Sequence, residues 1–241
     1  MRPIVKFIRC DEGERSLKVA VRTYEDDQGN EISLVSCVHV AERDFFRTIK
    51  SYADSKEKVL YEGVGGKGVR EAHGNTWLGE MINGAMGWWM KWYTNGLAYQ
   101  PNEIDYAHLG DNWEPCDVSA QEFLSNSLNA EQFSKFLGGI FSPDLMKKSQ
   151  EKMDGMKFSN RREMIAKMVS IDEELPMANL YVARGRNEVV NRRLRQIFWR
   201  GEAKSVAVFY GAAHMDGIEE YVTKELGFKP KEEWWIEAFR Y

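Results

Sequence analysis

Cysteine is scarce in this chain of 241 residues. Its three cysteines, Cys10, Cys37 and Cys116, are an odd number, and none of them is spaced as Cys-x-x-Cys. Disulfide-bonded domains and cysteine-ligated zinc sites carry more cysteines in regular patterns. The sequence therefore gives no sign of a disulfide framework or a cysteine zinc site, and it fits a reducing compartment.

The chain also lacks an excess of charge of one sign and a long uninterrupted hydrophobic run. Its formal net charge of -4 provides no general basic field for nucleic acid or anionic lipid. The most membrane-like stretch, Trp77–Tyr93, includes Glu80, Asn83 and Lys91, whose polar groups would lie in hydrocarbon. The N-terminus has no apolar core of a signal peptide. We expect a cytoplasmic protein with no membrane span and no nucleic-acid partner.

Strand and helix signals alternate along the rest of the sequence. Phe45, Phe46, Ile49 and Tyr52 recur at helical spacing, which predicts a helix over Ala41–Ser55. Because a strand, a helix and a strand form a βαβ unit, the strands on either side of it are predicted to be parallel and close together. Short β-prone runs bounded by turns predict strands at Ile4–Arg9, Leu17–Tyr24, Glu31–Val38, Lys58–Glu62, Ser205–Tyr210 and Trp234–Phe239.

The middle of the chain carries weaker signals that are mostly helical. No internal repeat or low-complexity linker divides the sequence. It predicts a single α/β domain over residues 1–241, with a central mixed β-sheet, flanking helices and a mainly helical insertion at about 70–180. The further helices are predicted at Trp77–Tyr93, after the N-cap-like residues Ser119 and Asn129, at Arg186–Arg200 and at about Gly217–Leu226.

Two of the four histidines and one glutamate lie at the ends of predicted strands. His39 directly follows one strand, Glu62 ends the next, and His214 follows Ser205–Tyr210. Open α/β sheets place their sites at the carboxyl ends of strands, so we expect these side chains to share one cleft. Two imidazoles and a carboxylate suffice to hold a catalytic divalent metal with a position open for water. Taken singly, each histidine could instead have a hydrogen-bonded structural role, and the glutamate before a glycine could lie in a solvated turn.

Two other motifs allow more than one interpretation. Gly63–Gly68 matches GxGxxG after a strand, but no helix of clear apolar periodicity follows it. A flexible loop over the site is therefore preferred to a nucleotide-binding turn. The tryptophans at 77, 88, 89 and 92 could line a peptide groove, and core packing or a homo-oligomer interface explains them equally well.

The candidate site residues lie within two histidine motifs and a strand between them that ends in glutamate. The first histidine lies in Ser36-x-x-His39, Glu62 ends the next strand, and the second histidine lies in Gly211-x-x-His214. In order and spacing these segments resemble the TraB/PrgY, GumN and Tiki family, which is marked by two GxxH motifs and the intervening glutamate. Serine replaces the first glycine here. The resemblance spans roughly residues 31–228 and rests on Leu34–Val40, Leu60–Val64, Leu97–Gln100, Ile104–Tyr106, Cys116–Val118, Arg186–Asn187 and Val206–His214.

The resemblance implies an α/β core related to the erythromycin esterase and haem-binding ChaN-like proteins, with a helical insertion. Tiki members are described as metal-dependent proteases, and TraB/PrgY members are linked to shutting down peptide pheromone activity. Carried over by position, His39, Glu62 and His214 would be the metal or catalytic set. Arg186 and Asn187 would flank them and hold an anionic substrate group or a developing oxyanion.

The sequence thus predicts a metal-dependent hydrolase, most plausibly a peptidase that uses water activated by manganese, cobalt, zinc or iron. One alternative is a metal-independent ester or amide hydrolase, with His39 as general base and Glu62 orienting it. The other is a non-catalytic regulator that binds a peptide or small molecule. Gln100 and Asp117 are additional candidates for the site. In every case the expected partner is a peptide or small molecule.

Overall fold

The computed structural model of the protein describes residues 7–63, 96–118, 159–170 and 177–241. Its strands are β1 (Ile8–Asp11), β2 (Ser16–Glu25), β3 (Glu31–Cys37), β4 (Val40–Ala41), β5 (Lys58–Tyr61), β6 (Ala98–Tyr99), β7 (Trp113–Pro115), β8 (Ser205–Gly211) and β9 (Lys229–Arg240). Its helices are α1 (Arg43–Asp54), α2 (Gln100–Glu103), α3 (Arg161–Ser170), α4 (Met177–Arg200) and α5 (Ala212–Lys224).

Several predictions from the sequence concern residues outside these ranges. They are the helix Trp77–Tyr93, the N-caps Ser119 and Asn129, the four tryptophans at 77, 88, 89 and 92, and all but the first residue of Gly63–Gly68. Most of the expected insertion at about 70–180 also lies outside them. Among the described helices, none combines the length and the apolar character that a membrane span requires.

A mixed sheet forms the centre of the described structure. In it β3, β8, β5 and β7 lie side by side in this order and pair in parallel. Strand β2 pairs antiparallel with β1, β3 and β9. The predicted α/β class with a central mixed sheet and flanking helices is therefore confirmed at this level. A separate antiparallel pair joins β4 to β6.

The parallel direction predicted for the two strands of the βαβ unit is confirmed. Strands β3 and β5 lie in the same sheet, and β8 lies between them and pairs with both. The residues from Val206 to Tyr210 are all buried, as is typical of a central parallel strand covered on both faces. A strand from the distant C-terminal part of the chain thus separates two strands that are close in the sequence.

Helix α1 forms where the apolar spacing predicts it. Phe45, Phe46, Ile49 and Ala53 are its buried residues, and Tyr52 is half-buried at the edge of this face. These residues recur at intervals that place them on one side of a helix, so the helix buries this stripe against the sheet. The helix contacts β3 and β9, while α5 contacts β3, β8 and α4.

The C-terminal elements begin earlier than the sequence predicts. Helix α5 begins at Ala212, so Gly217 lies within it and His214 lies in its first turn. Strand β9 begins at Lys229 and not at Trp234. The residues of β9 before Trp234 are exposed and mostly charged, so they lack the apolar alternation that indicates a strand in the sequence.

Candidate active site

The carboxyl ends of the four parallel strands meet at one edge of the sheet, and each is followed by a polar side chain. His39 follows β3, Glu62 follows β5, Asp117 follows β7 and His214 follows β8. Parallel pairing aligns these ends. The strand ends thus bring the predicted residues to a single edge, and Asp117 joins them there.

Arg186 on α4 lies at the centre of this edge. Its Nε and Nη2 donate to Oδ1 and Oδ2 of Asp117 at 2.9 and 2.6 Å, and Nη2 also donates to Glu62 Oε1 at 2.5 Å. Its Nη1 donates to His214 Nε2 at 3.2 Å. Among the described residues these bonds use four of the five N–H donors of a guanidinium, and the fifth is on Nη1. The role of Arg186 in holding an anion or oxyanion remains a prediction.

Arg186 and Asp117 form a buried, charge-balanced pair. Their side chains are 12% and 1% exposed. Besides Arg186, the backbone N–H groups of Gly63 and Val118 donate to the Asp117 carboxylate, at 3.1 and 2.8 Å. Because Asp117 balances the charge of Arg186, the negative charge of Glu62 remains available to a second cation.

Glu62 accepts a hydrogen bond from Gly211, the glycine of the second GxxH motif. Its Oε2 accepts the backbone N–H of Gly211 at 2.7 Å. A Cβ atom at position 211 would lie 3.1 Å from the same oxygen, so a side chain there would press on the carboxylate. Burial opposes ionisation of Glu62, yet the charge of Arg186 and the other polar neighbours lower its pKa from 4.5 to about 2.

We expect the fold to lose stability in acid as the Glu62 carboxylate becomes protonated. Because its folded-state pKa is depressed, it contributes fully above about pH 4.5, and the contribution is lost as the pH falls from 4.5 toward 2. The loss amounts to about 3 kcal/mol at most. Urea unfolding at pH 7, 4.5 and 3 measures it. The variant Glu62→Gln should show a shallower fall across this range, and an identical fall in both proteins would contradict the assignment.

Each of the two histidines has an amide side-chain oxygen beside its Nδ1 and an N–H donor on its backbone oxygen. Asn187 Oδ1 lies 2.7 Å from His214 Nδ1, and Asn187 Nδ2 donates to the backbone oxygen of His214 at 3.1 Å. Gln100 Oε1 lies 3.0 Å from His39 Nδ1, and the Gln100 backbone N–H donates to the oxygen of His39 at 2.9 Å. An amide oxygen only accepts, so each Nδ1 carries a proton and each neutral ring has an acceptor Nε2.

The environments of the two rings differ. His214 is buried, and burial lowers its pKa, since the effect of Glu62 in the opposite direction is smaller. Its ring is therefore neutral at pH 7. His39 is exposed at the mouth of the site. The pairing of β4 with β6 sets Val40 opposite Tyr99 and so places Gln100 beside His39.

Asn187 has contacts that the sequence did not suggest. Both polar atoms of its side chain face His214, and the residue is buried. It therefore positions the histidine from behind, and its predicted role at an oxyanion stays a prediction. Tyr106, to which no role was assigned, accepts a hydrogen bond from Gln100 Nε2 at 2.7 Å. The resemblance of the segment Ile104–Tyr106 was the one signal that pointed to it.

The site contains imidazole nitrogens and a carboxylate oxygen, which are donor atoms that divalent cations commonly bind. His39 and His214 each present an unprotonated Nε2 when neutral, and Glu62 Oε1 lies 3.8 Å from His214 Nε2. Within the described ranges, however, no three His, Cys, Asp or Glu side chains form a ready-made metal-binding group. Arg186 now contacts both Glu62 Oε1 and His214 Nε2. Binding of a metal by the three predicted ligands therefore requires Arg186 to release these two atoms.

Comparison of the chain with protein-family models, curated proteins and solved structures finds no match in any of the three.

Proposed function

We propose that this edge of the sheet is the active site of a hydrolase that cleaves an acyl bond, most plausibly a peptide bond, with a divalent metal held by His39, Glu62 and His214. The observation that carries the proposal is the matched support of the two histidines by Gln100 and Asn187. Metal-ligating histidines typically donate the N–H of their second nitrogen to such an oxygen, which fixes the tautomer and the ring orientation.

In metal-dependent hydrolysis, each residue of the site would have a separate role. A bound divalent ion supplies a water of lowered pKa and polarises the substrate carbonyl. Glu62, whose Oε2 accepts the Gly211 N–H, would contribute the negative charge that attracts the ion once Arg186 releases Oε1. The N–H groups that Arg186 releases would then be free to donate to a developing oxyanion. Buried Asp117 keeps the guanidinium in place.

We also propose the finer classification that the sequence suggests, a TraB/PrgY, GumN and Tiki-like domain related to the erythromycin esterase and ChaN-like proteins. The mixed sheet and the position of both motif histidines at strand ends support it. A cytoplasmic location is proposed as well, and the free state of Cys10, Cys37 and Cys116 supports it.

A metal-independent hydrolase is the second candidate, and the position of Arg186 favours it. The guanidinium already donates to Glu62 Oε1 and to His214 Nε2, so both of these atoms have a hydrogen-bond partner without a metal ion. In this mechanism the exposed Nε2 of His39 takes a proton from water as general base. Gln100, and not Glu62, makes the contact that orients His39.

A peptidase screen with chelation separates the two candidates. The whole chain is loaded with manganese, cobalt, zinc or iron and assayed on a pool of quenched fluorescent peptides and on simple esters. Turnover that a chelator removes and the added ion restores supports the metal-dependent hydrolase. Turnover that resists chelation supports general-base catalysis by His39. Absence of turnover with every ion, together with saturable peptide binding, would contradict both and favour a binding protein.

A further inference from the structure

Gly217 lies at a close approach between α4 and α5. A Cβ atom at this position would lie 2.6 Å from Asn187 Nδ2 and 3.8 Å from Asn187 Cγ. Carbon atoms in van der Waals contact are normally about 3.5–4.0 Å from their neighbours. Only glycine therefore lets the Asn187 amide occupy its present place.

The position of Gly217 ties this approach to the site. It follows His214 by three residues on α5, so both lie on the same face of the helix. The Asn187 amide fills the space beside them and bonds both Nδ1 and the backbone oxygen of His214. Asn187 has two side-chain torsions, and a rotation that cleared a Cβ atom would move at least one of these bonding atoms away.

We propose that Gly217 is a positioning residue, which fixes the orientation of the His214 ring by admitting the Asn187 amide that accepts its Nδ1–H. The Arg186 N–H that bonds Nε2 already sets the tautomer of the ring. A glycine inside a helix costs about 0.5–1 kcal/mol relative to alanine, so its presence at this position needs a packing reason. Close contact with Asn187 supplies that reason. The consequence for metal affinity rests on the proposed function, whereas the effect on the Nδ1–H bond of His214 does not.

The variant Gly217→Ala tests the proposal. In the metal-free wild-type protein, the Nδ1 proton of His214 donates to Asn187 Oδ1 and should give a sharp, slowly exchanging imidazole resonance in proton NMR spectra. In Gly217→Ala and in Asn187→Ala this resonance should be lost to exchange with water, and metal affinity should fall by about ten- to hundredfold. The matched control is Gly185→Ala on α4, where an added Cβ meets no described atom within 4 Å, and its spectrum and affinity should equal those of wild type.

A double variant decides whether Gly217 acts through Asn187. In an Asn187→Ala background the clashing amide is gone, so adding Gly217→Ala should change neither the Nδ1 proton resonance nor the affinity further. If Gly217→Ala alone does not fold, the double variant is expected to fold. Losses that add, a double variant that also fails to fold, or an unchanged Nδ1 proton resonance in Gly217→Ala would overturn the proposal. Lack of metal binding by wild type, with the loss of the resonance in Gly217→Ala intact, would overturn the metal site and leave the role of Gly217 standing.

Discussion

Replacing Arg186 with methionine is expected to destabilise the fold by about 3–5 kcal/mol, the cost of leaving a buried charge without its partner. The change would remove the cation that lies between Glu62 and Asp117, whose side chains are 22% and 1% exposed. Asp117 would keep the N–H groups of Gly63 and Val118 but no cation from Arg186. The midpoint of urea unfolding at pH 7 measures the effect.

Arg193 provides a matched control on the same helix. It also bonds two carboxylates, those of Glu114 and Glu202, but these are 33% and 26% exposed and both pair with Lys58 as well. Arg193→Met should therefore cost only about 1 kcal/mol, as is typical of exposed ion pairs. An equal loss of unfolding free energy in the two variants would contradict the prediction that burial makes the Arg186–Asp117 pair more important for stability.

Alanine at His39 or at His214 is expected to reduce hydrolysis by at least about 10³-fold, while the fold is largely retained. In the proposed site each histidine supplies one Nε2, and Glu62 supplies the third donor. Removal of either imidazole leaves too few ligands to hold the ion at ordinary concentrations. The reaction used is whichever peptide or ester turnover the screen detects, followed at the lowest metal concentration that saturates the wild-type protein, with circular dichroism to verify folding.

His108→Ala is the control for these two variants. His108 is an exposed histidine that pairs with Asp105 at 2.8 Å in a loop. Its replacement should leave turnover unchanged. Full turnover in both His39→Ala and His214→Ala would contradict any catalytic role of the predicted set. Loss in His39→Ala alone, with His214→Ala active, would favour the general-base mechanism over a shared metal site.

Local patterns predicted the elements that carry the site. The strand before His39, the helix after it and the strands before Glu62 and His214 were predicted to within about two residues, which is the usual uncertainty of element boundaries. Their signals are short β-branched runs and helical spacing, which depend on neighbouring residues alone. Because the carboxyl ends of parallel strands share one edge, the grouping of these residues followed from the same signals.

The interactions that complete the site depend on residues far apart in the chain. The insertion of β8 between β3 and β5 is decided by pairing with a distant segment, and no local pattern encodes it. Gln100 reaches His39 only because β4 pairs with β6. The sequence predicts a helix from about Gly217, whereas α5 begins at Ala212 and Gly217 lies within it beside Asn187, a contact with a residue 30 positions earlier that no local pattern encodes.

Elemental analysis of the purified whole chain tests the central claim most directly. After loading with manganese, cobalt, zinc or iron and removal of free ion, the wild-type protein and His108→Ala should each retain about one equivalent of metal. His39→Ala and His214→Ala should retain none. Absence of metal from the wild-type protein under every loading condition, or equal metal content in all four proteins, would contradict a metal site formed by His39, Glu62 and His214.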